Sequence, residues 1–165
     1  MKKNISFASI SSERGVTLIE ILVAIGVAVI LIGISTTIFY RLNNKFALDK
    51  GVDAVTSTLQ EARSLTLAGK NGLQYGVHFG SSELVLFEGA SYSSSDPNNV
   101  VTNLNFRAAI RNISLSGGGS DVVFKRLTGA TDNVGSVEVY ILNEASASST
   151  VNILNTGVVQ ELEYN

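Results

Sequence analysis

The residue in this sequence whose type and setting most clearly invite chemistry is an acid. Glu20 heads the run Ile21 to Tyr40, ILVAIGVAVILIGISTTIFY, twenty residues without a charge. A carboxylate in that position has two physical outlets. It can lie at a membrane interface and favour the positive end of a helix dipole. Alternatively it can pair with a cation inside the lipid, where an unpaired acid costs on the order of a few kcal/mol near the centre and less near an end. An amine freed by cutting the chain just before Val16 would supply that cation.

Other candidates carry less. His78, the single histidine, lies between Val77 and Phe79 in a predicted strand, a setting that suits an exposed or hydrogen-bonded ring better than a catalytic one. No Ser/His/Asp set has positional support. With no cysteine there is no disulfide framework, thiolate nucleophile or cysteine metal site. Gly69-Lys70-Asn71 lacks the preceding glycine and the Ser/Thr of a phosphate loop, and Gly117-Gly118-Gly119 is a loop run. Asp132-Asn133 offers two adjacent ligands where Ca²⁺ takes about six to eight oxygens. The cations Arg107, Arg111, Lys125 and Arg126 are scattered, and the tail Glu161-Leu162-Glu163-Tyr164-Asn165 is acidic. Such a distribution gives weak, salt-sensitive DNA binding at best. The expectation is a non-enzymatic protein with no catalytic residue, cofactor or metal.

Composition agrees. The chain has 165 residues, 45% of them hydrophobic and only 16% charged, with a net charge of -2. Soluble domains usually carry roughly 25% charged residues. The length suits one domain with a sizeable core, the apolar content excludes disorder, and the balanced charge argues against broad attraction to nucleic acid.

The elements that must position Glu20 follow from the apolar pattern. Twenty helical residues rise about 30 Å, the thickness of a bilayer core, and this stretch lacks the polar stripe of a core helix in a soluble domain. Lys2, Lys3 and Arg14 precede it, favouring a cytoplasmic N-terminus; Arg41, Lys45 and Lys50 follow it, so charge alone does not decide orientation. An ordinary secretory signal is the competing reading, but it would need a shorter apolar region and a small-residue cleavage site. Beyond Tyr40, the residues Leu48, Val52, Val55, Leu59 and Ala62 fall on one helical face. No proline interrupts residues 16 to 68, Gly51 costs about 1 kcal/mol relative to alanine, and Gly69-Lys70-Asn71-Gly72 is the expected stop. A coiled coil is the alternative for this stripe, which lasts only about two heptads. Gly26 and Gly33 share a face that permits close helix packing. Gly33, Ser35, Thr36 and Thr37 are the residues that could loosen the helix.

The remainder predicts strands over 73–80, 83–88, 100–106, 110–115, 122–127, 136–142, 150–154 and 158–164. Ser81-Ser82 turns the first pair into a hairpin. Residues 89–99 form a polar loop around Asp96-Pro97, and Ser146 to Ser149 a smaller one. Arg63 is expected to cap helix carbonyls or to reach an acid in the sheet.

Arg14-Gly15-Val16-Thr17-Leu18-Ile19-Glu20, followed at once by the apolar run, closely resembles the class III signal of type IV prepilins and pseudopilins: a short basic leader, a Gly, an acid five residues later and a long apolar helix. Val16 stands where that family usually has Phe or Met. LQEARSLTLAGK followed by QYGVHF, within residues 59 to 87, is similar to the GspH/FimT-type branch. The resemblance implies an α+β fold, a long N-terminal helix packed on a C-terminal antiparallel sheet. It implies a leader over 1–15, a transmembrane and assembly helix over 16–40, its amphipathic continuation over 41–69 and a β-rich globular domain over 70–165. It further implies cleavage between Gly15 and Val16 by a prepilin peptidase, N-methylation of Val16, and a role for Glu20 in subunit assembly. The implied partners are other copies or related pilins and an inner-membrane assembly platform. The implied function is a pilin or minor pilin of a type IV pilus, with a pseudopilin of a type II secretion system as the alternative and a DNA-uptake minor pilin behind both. The implied location is a single inner-membrane pass with the globular domain outside the cytoplasm.

Overall fold

The structure is a computed structural model that describes residues 15–163. Residues 1–14, with the basic leader, and Tyr164-Asn165 lie outside the described residues. Helix α1 spans Leu18–Leu67, ending one residue short of the expected stop and running unbroken through the Gly33–Thr37 stretch. Gly69 stops it. At φ 63 it adopts the left-handed conformation that glycine takes at no steric cost, and its N–H donates to the Thr66 carbonyl at 3.1 Å. The chain divides into two compact units, one ending at Tyr40 and the other beginning at Arg41.

Among its described residues the second unit contains eight strands: β1 (Tyr75–Phe79), β2 (Glu83–Glu88), β3 (Val100–Asn103), β4 (Ala108–Leu115), β5 (Asp121–Val123), β6 (Gly135–Ile141), β7 (Glu144–Ile153) and β8 (Val159–Glu163). They form two antiparallel sheets in the orders β3-β2-β1-β5 and β4-β6-β7-β8. The expected hairpin is present: Tyr75 pairs with Glu88 and Phe79 with Leu84, closed by the Gly80 N–H on the Glu83 carbonyl at 2.9 Å.

The core explains the patterns. Val52, Val55, Leu59 and Ala62 are buried as the helical stripe requires, while Leu48 is only partly buried and Ala47 takes the deeper place. Against them pack Tyr75, Val77 and Phe79 of β1, Leu84 and Leu86 of β2, Val137, Val139 and Ile141 of β6, and Val151 and Ile153 of β7. These are alternate residues on one face of each strand. In β2 the intervening Val85 and Phe87 are buried as well. The loop after β2 is not merely a polar excursion: Tyr92 stacks on His78 with ring centres 4.0 Å apart and meets the Phe87 ring at 5.7 Å.

Several expectations need correction. β7 begins at Glu144, so Ser146 to Ser149 is strand and not loop. Ser148 pairs with Tyr140 and Ser149 with Val139 of β6, Ser149 also pairs with β8, and the Ser149 hydroxyl is satisfied by Glu161 at 3.1 Å. Serines that read as a loop in isolation therefore complete a ladder. β3 ends at Asn103 and β5 at Val123, three and four residues early; Phe124 adds only a single bridge to Thr131. Leu127, at φ 71, is in the left-handed region and cannot continue a strand.

Gly51 has a packing role in addition to its helical cost. A Cβ there would come within 2.8 Å of Val139 Cγ1 and 3.4 Å of Ala108 Cβ, so the bare backbone lets α1 approach the second sheet. In β4, Asn112 takes φ 50 at a register shift, and the bulge gathers polar groups around Glu138. Arg111 Nη2 donates to its Oε1 at 2.6 Å and Asn112 Nδ2 to its Oε2 at 2.6 Å. The Arg111 hydrogen bond above all, aided by those of Ser148 and Asn112, outweighs burial and lowers the Glu138 pKa from 4.5 to about 2.

Two outcomes follow. Gly51→Ala gains about 1 kcal/mol of helix propensity but forces a methyl into a filled contact at about 1–3 kcal/mol, so it lowers the denaturant midpoint; an unchanged or raised midpoint would show that α1 and β6 do not meet so closely. Glu138 is held ionised by the fold, so its contribution is complete above pH 4.5 and is lost as pH falls towards about 2. After allowance for solvent at Arg111 that contribution is on the order of 2–3 kcal/mol. Denaturant unfolding across this range should show Glu138→Gln less stable than the parent at neutral pH, with the gap closing near pH 2; a gap independent of pH would contradict the clamp.

Candidate assembly segment

Gly15, Val16 and Thr17 precede α1 without regular structure, and Thr17 caps it. The Glu20 N–H points at the Thr17 hydroxyl, 3.3 Å away, and at its carbonyl, 3.1 Å away. Thr17-x-x-Glu20 thus has the spacing of a capping box, with the acid at the third helical position. That four-residue spacing is the sequence signal for the cap, overlooked beside the more conspicuous apolar run. The geometry gives Glu20 a local electrostatic reason for its place, since a carboxylate in the first turn is favoured by the aligned peptide dipoles. Its side chain is exposed, and it forms no ion pair among the described residues.

Beyond Glu20, every described side chain as far as Tyr40 is exposed. Ile21, Leu22, Val23, Ile25, Val27, Val29, Ile30, Leu31 and Ile32 point around the whole circumference, and each is more than half exposed. This part of α1 is long and apolar enough to cross a membrane, and none of it is buried within the chain. A methyl placed on Gly15, Gly26 or Gly33 would meet nothing within 4 Å. Among the described residues no side chain therefore calls for glycine at these three positions, while Gly26 and Gly33 each cost about 1 kcal/mol of helix propensity.

In the globular unit the chemically suggestive residues are occupied. His78 Nδ1 lies 2.6 Å from Asp121 Oδ1 while its ring stacks on Tyr92. The two candidate Ca²⁺ ligands are engaged: Asp132 Oδ1 accepts from Lys125 Nζ at 2.6 Å and Asn133 Oδ1 from the Val123 N–H at 3.1 Å. No group of three potential metal ligands occurs among the described residues. Of the cations that could meet DNA, Arg111 is clamped to Glu138, Lys125 to Asp132, and Arg107 donates to Asn44 Oδ1 at 3.2 Å. Arg63 reaches neither an acid nor its own helix end. It donates to the loop carbonyls of Gly129 at 3.1 Å and Thr156 at 3.4 Å, tying α1 to the turns after β5 and β7; both turns lie more than sixty residues downstream, so local spacing could not reveal them.

No family model and no curated protein sequence matches the chain. Solved structures do. The chain is similar to the type IV minor pilin FimU of Pseudomonas aeruginosa in two crystal forms. In one, identity is 14% and TM-score 0.54 over 70% of this chain and 93% of that one. In the other, identity is 13% and TM-score 0.54 over 75% and 91%. It is also similar to the minor pseudopilin EpsH of the Type 2 Secretion System of Vibrio cholerae, at 12% identity and TM-score 0.49 over 68% and 95%. One long N-terminal helix followed by an antiparallel two-sheet domain is the pilin fold, as the sequence resemblance implied.

Proposed function

We propose that this chain, built on the pilin fold, is a structural subunit of a type IV pilus or a related filament, made as a membrane-anchored precursor. The observation that carries the reading is the apolar surface of α1 before Arg41, exposed on all sides. Water does not tolerate so large an apolar surface. Lipid covers it in the precursor, and the helices of other subunits cover it in the filament. Gly26 and Gly33, where an added methyl would meet nothing within 4 Å among the described residues, suit close helix contacts of that second kind.

Residues 1–15 are then the leader, removed by a prepilin peptidase on the cytoplasmic face, and the new first residue, Val16, is N-methylated. Gly15 fits as a requirement of the cleavage, because among the described residues nothing lies within 4 Å of a methyl added there. Residues 16–40 anchor the precursor in the inner membrane, 41–69 continue the helix, and 70–165 form the globular part outside the cytoplasm. The methylated amine stays cationic. At 4 Å from a carboxylate, in a medium of effective dielectric about 20, it gains about 4 kcal/mol. Glu20 of a neighbouring subunit is the anion that meets it, so the pair sets the axial register as each subunit leaves the membrane at the assembly platform. The role is mechanical, with no bond made or broken by the chain.

Glu20→Ala and Glu20→Gln should yield membrane-inserted, cleaved protein that is absent from filaments, measured by blotting membrane and sheared-filament fractions. Glu20→Asp, which keeps the charge, should retain part of the assembly. Incorporation of Glu20→Ala at the parent level would contradict the pairing.

A further inference from the structure

The segment that follows the apolar run carries an unusual surface. Phe46 is 64% and Phe106 79% exposed, although phenylalanine normally drives burial. Both rings line one shallow depression of about 310 Å³ together with Lys50 and Arg107. The Arg107 guanidinium lies 5.3 Å from the centre of the Phe106 ring and is anchored by its bond to Asn44. No carboxylate lines this depression among the described residues. Two aromatic rings beside two cations form a surface that neither water nor a neutral protein face matches, and the one carboxylate of this network, Glu144, is engaged by the Asn44 amide at 3.0 Å.

Chain connectivity indicates what does. Phe46 follows Tyr40 by six residues, so it stays within about 20 Å of the end of the apolar run in any chain conformation. The polar interfacial layer of a bilayer lies within that reach. Aromatic rings are favoured at that depth, and anionic headgroups attract nearby Lys and Arg.

We infer that this face docks on a bilayer surface containing anionic phospholipid, with Phe46 and Phe106 entering the headgroup region and Lys50 and Arg107 meeting lipid phosphates. The inference rests on the reading of residues 16–40 as a membrane anchor. It adds a second, electrostatic hold on the precursor, which must be released when the subunit enters a filament. Hence the strength of the hold depends on lipid charge and on salt.

The chain contains no tryptophan, so Phe106→Trp introduces a single indole at an exposed site. The full chain carrying this substitution is reconstituted at low density into vesicles of phosphatidylcholine alone or of phosphatidylcholine with phosphatidylglycerol. In the anionic vesicles the indole emission should shift to the blue and be quenched by lipids brominated near the headgroup. Adding Lys50→Glu should abolish both effects, Lys50→Arg should preserve them, and high salt should weaken them. An emission unchanged by phosphatidylglycerol, or one that shifts only as protein density rises, would overturn the inference; the latter result would mean that another copy covers the face. Resistance to alkaline extraction is read on the same vesicles. Extracted protein means that the anchor reading has failed; inserted protein with a water-exposed indole means that only the lipid contact has failed.

Discussion

A helix that is apolar around its whole circumference must always be covered by something other than water. The first part of α1 imposes this constraint, and the rest of the molecule is organised to accommodate it. Among the described residues no strand or loop shields it, and the globular core is built without it. On the proposed reading, what covers it comes from outside the chain, first as lipid and then as like helices. Because lipid and helix surfaces are equally apolar, the hydrophobic effect alone cannot drive the exchange between them. A polar term is needed for specificity, and on that reading the acid at the third helical position supplies it. The carboxylate that the helix dipole favours within one chain is, in the proposal, the one presented to the next subunit.

The globular unit holds the second half of the same helix. Its stripe of Val52, Val55, Leu59 and Ala62 shares one core with both sheets. Gly51 brings the backbone close to β6, and Arg63 fastens the far end to two loop carbonyls. At the helix exit the Thr66 hydroxyl donates to the Ala62 carbonyl at 2.8 Å and accepts the Tyr75 N–H at 2.9 Å, so helix and first strand are joined through one buried oxygen. These interactions tie this half of the helix to the sheets at its start, middle and end.

Much of this was legible in the sequence because it is local. The helical stripe, the glycine stop, the β1–β2 hairpin and the turns near residues 117, 129 and 157 follow from spacing and backbone preference. The errors lie where distant residues decide. Ser148 and Ser149 have no strand-forming character of their own and become strand through pairing with β6 and, at Ser149, with β8. Lys125 to Leu127 has some, and loses the strand to a left-handed turn. Gly51 looked like a cost because its benefit comes from Val139, far along the chain. At the candidate site the apolar run, the acid and the glycine were read directly, whereas the role of Thr17 as a helix cap emerged only from hydrogen-bond geometry.

The central claim is that the N-terminal amine beside Glu20 is made by processing. The most direct measurement is the intact mass of the protein taken from its own membrane or filament. The account predicts a chain that begins at Val16 and carries one added methyl group. A mass retaining residues 1–15 would leave Glu20 without its cation and contradict the account.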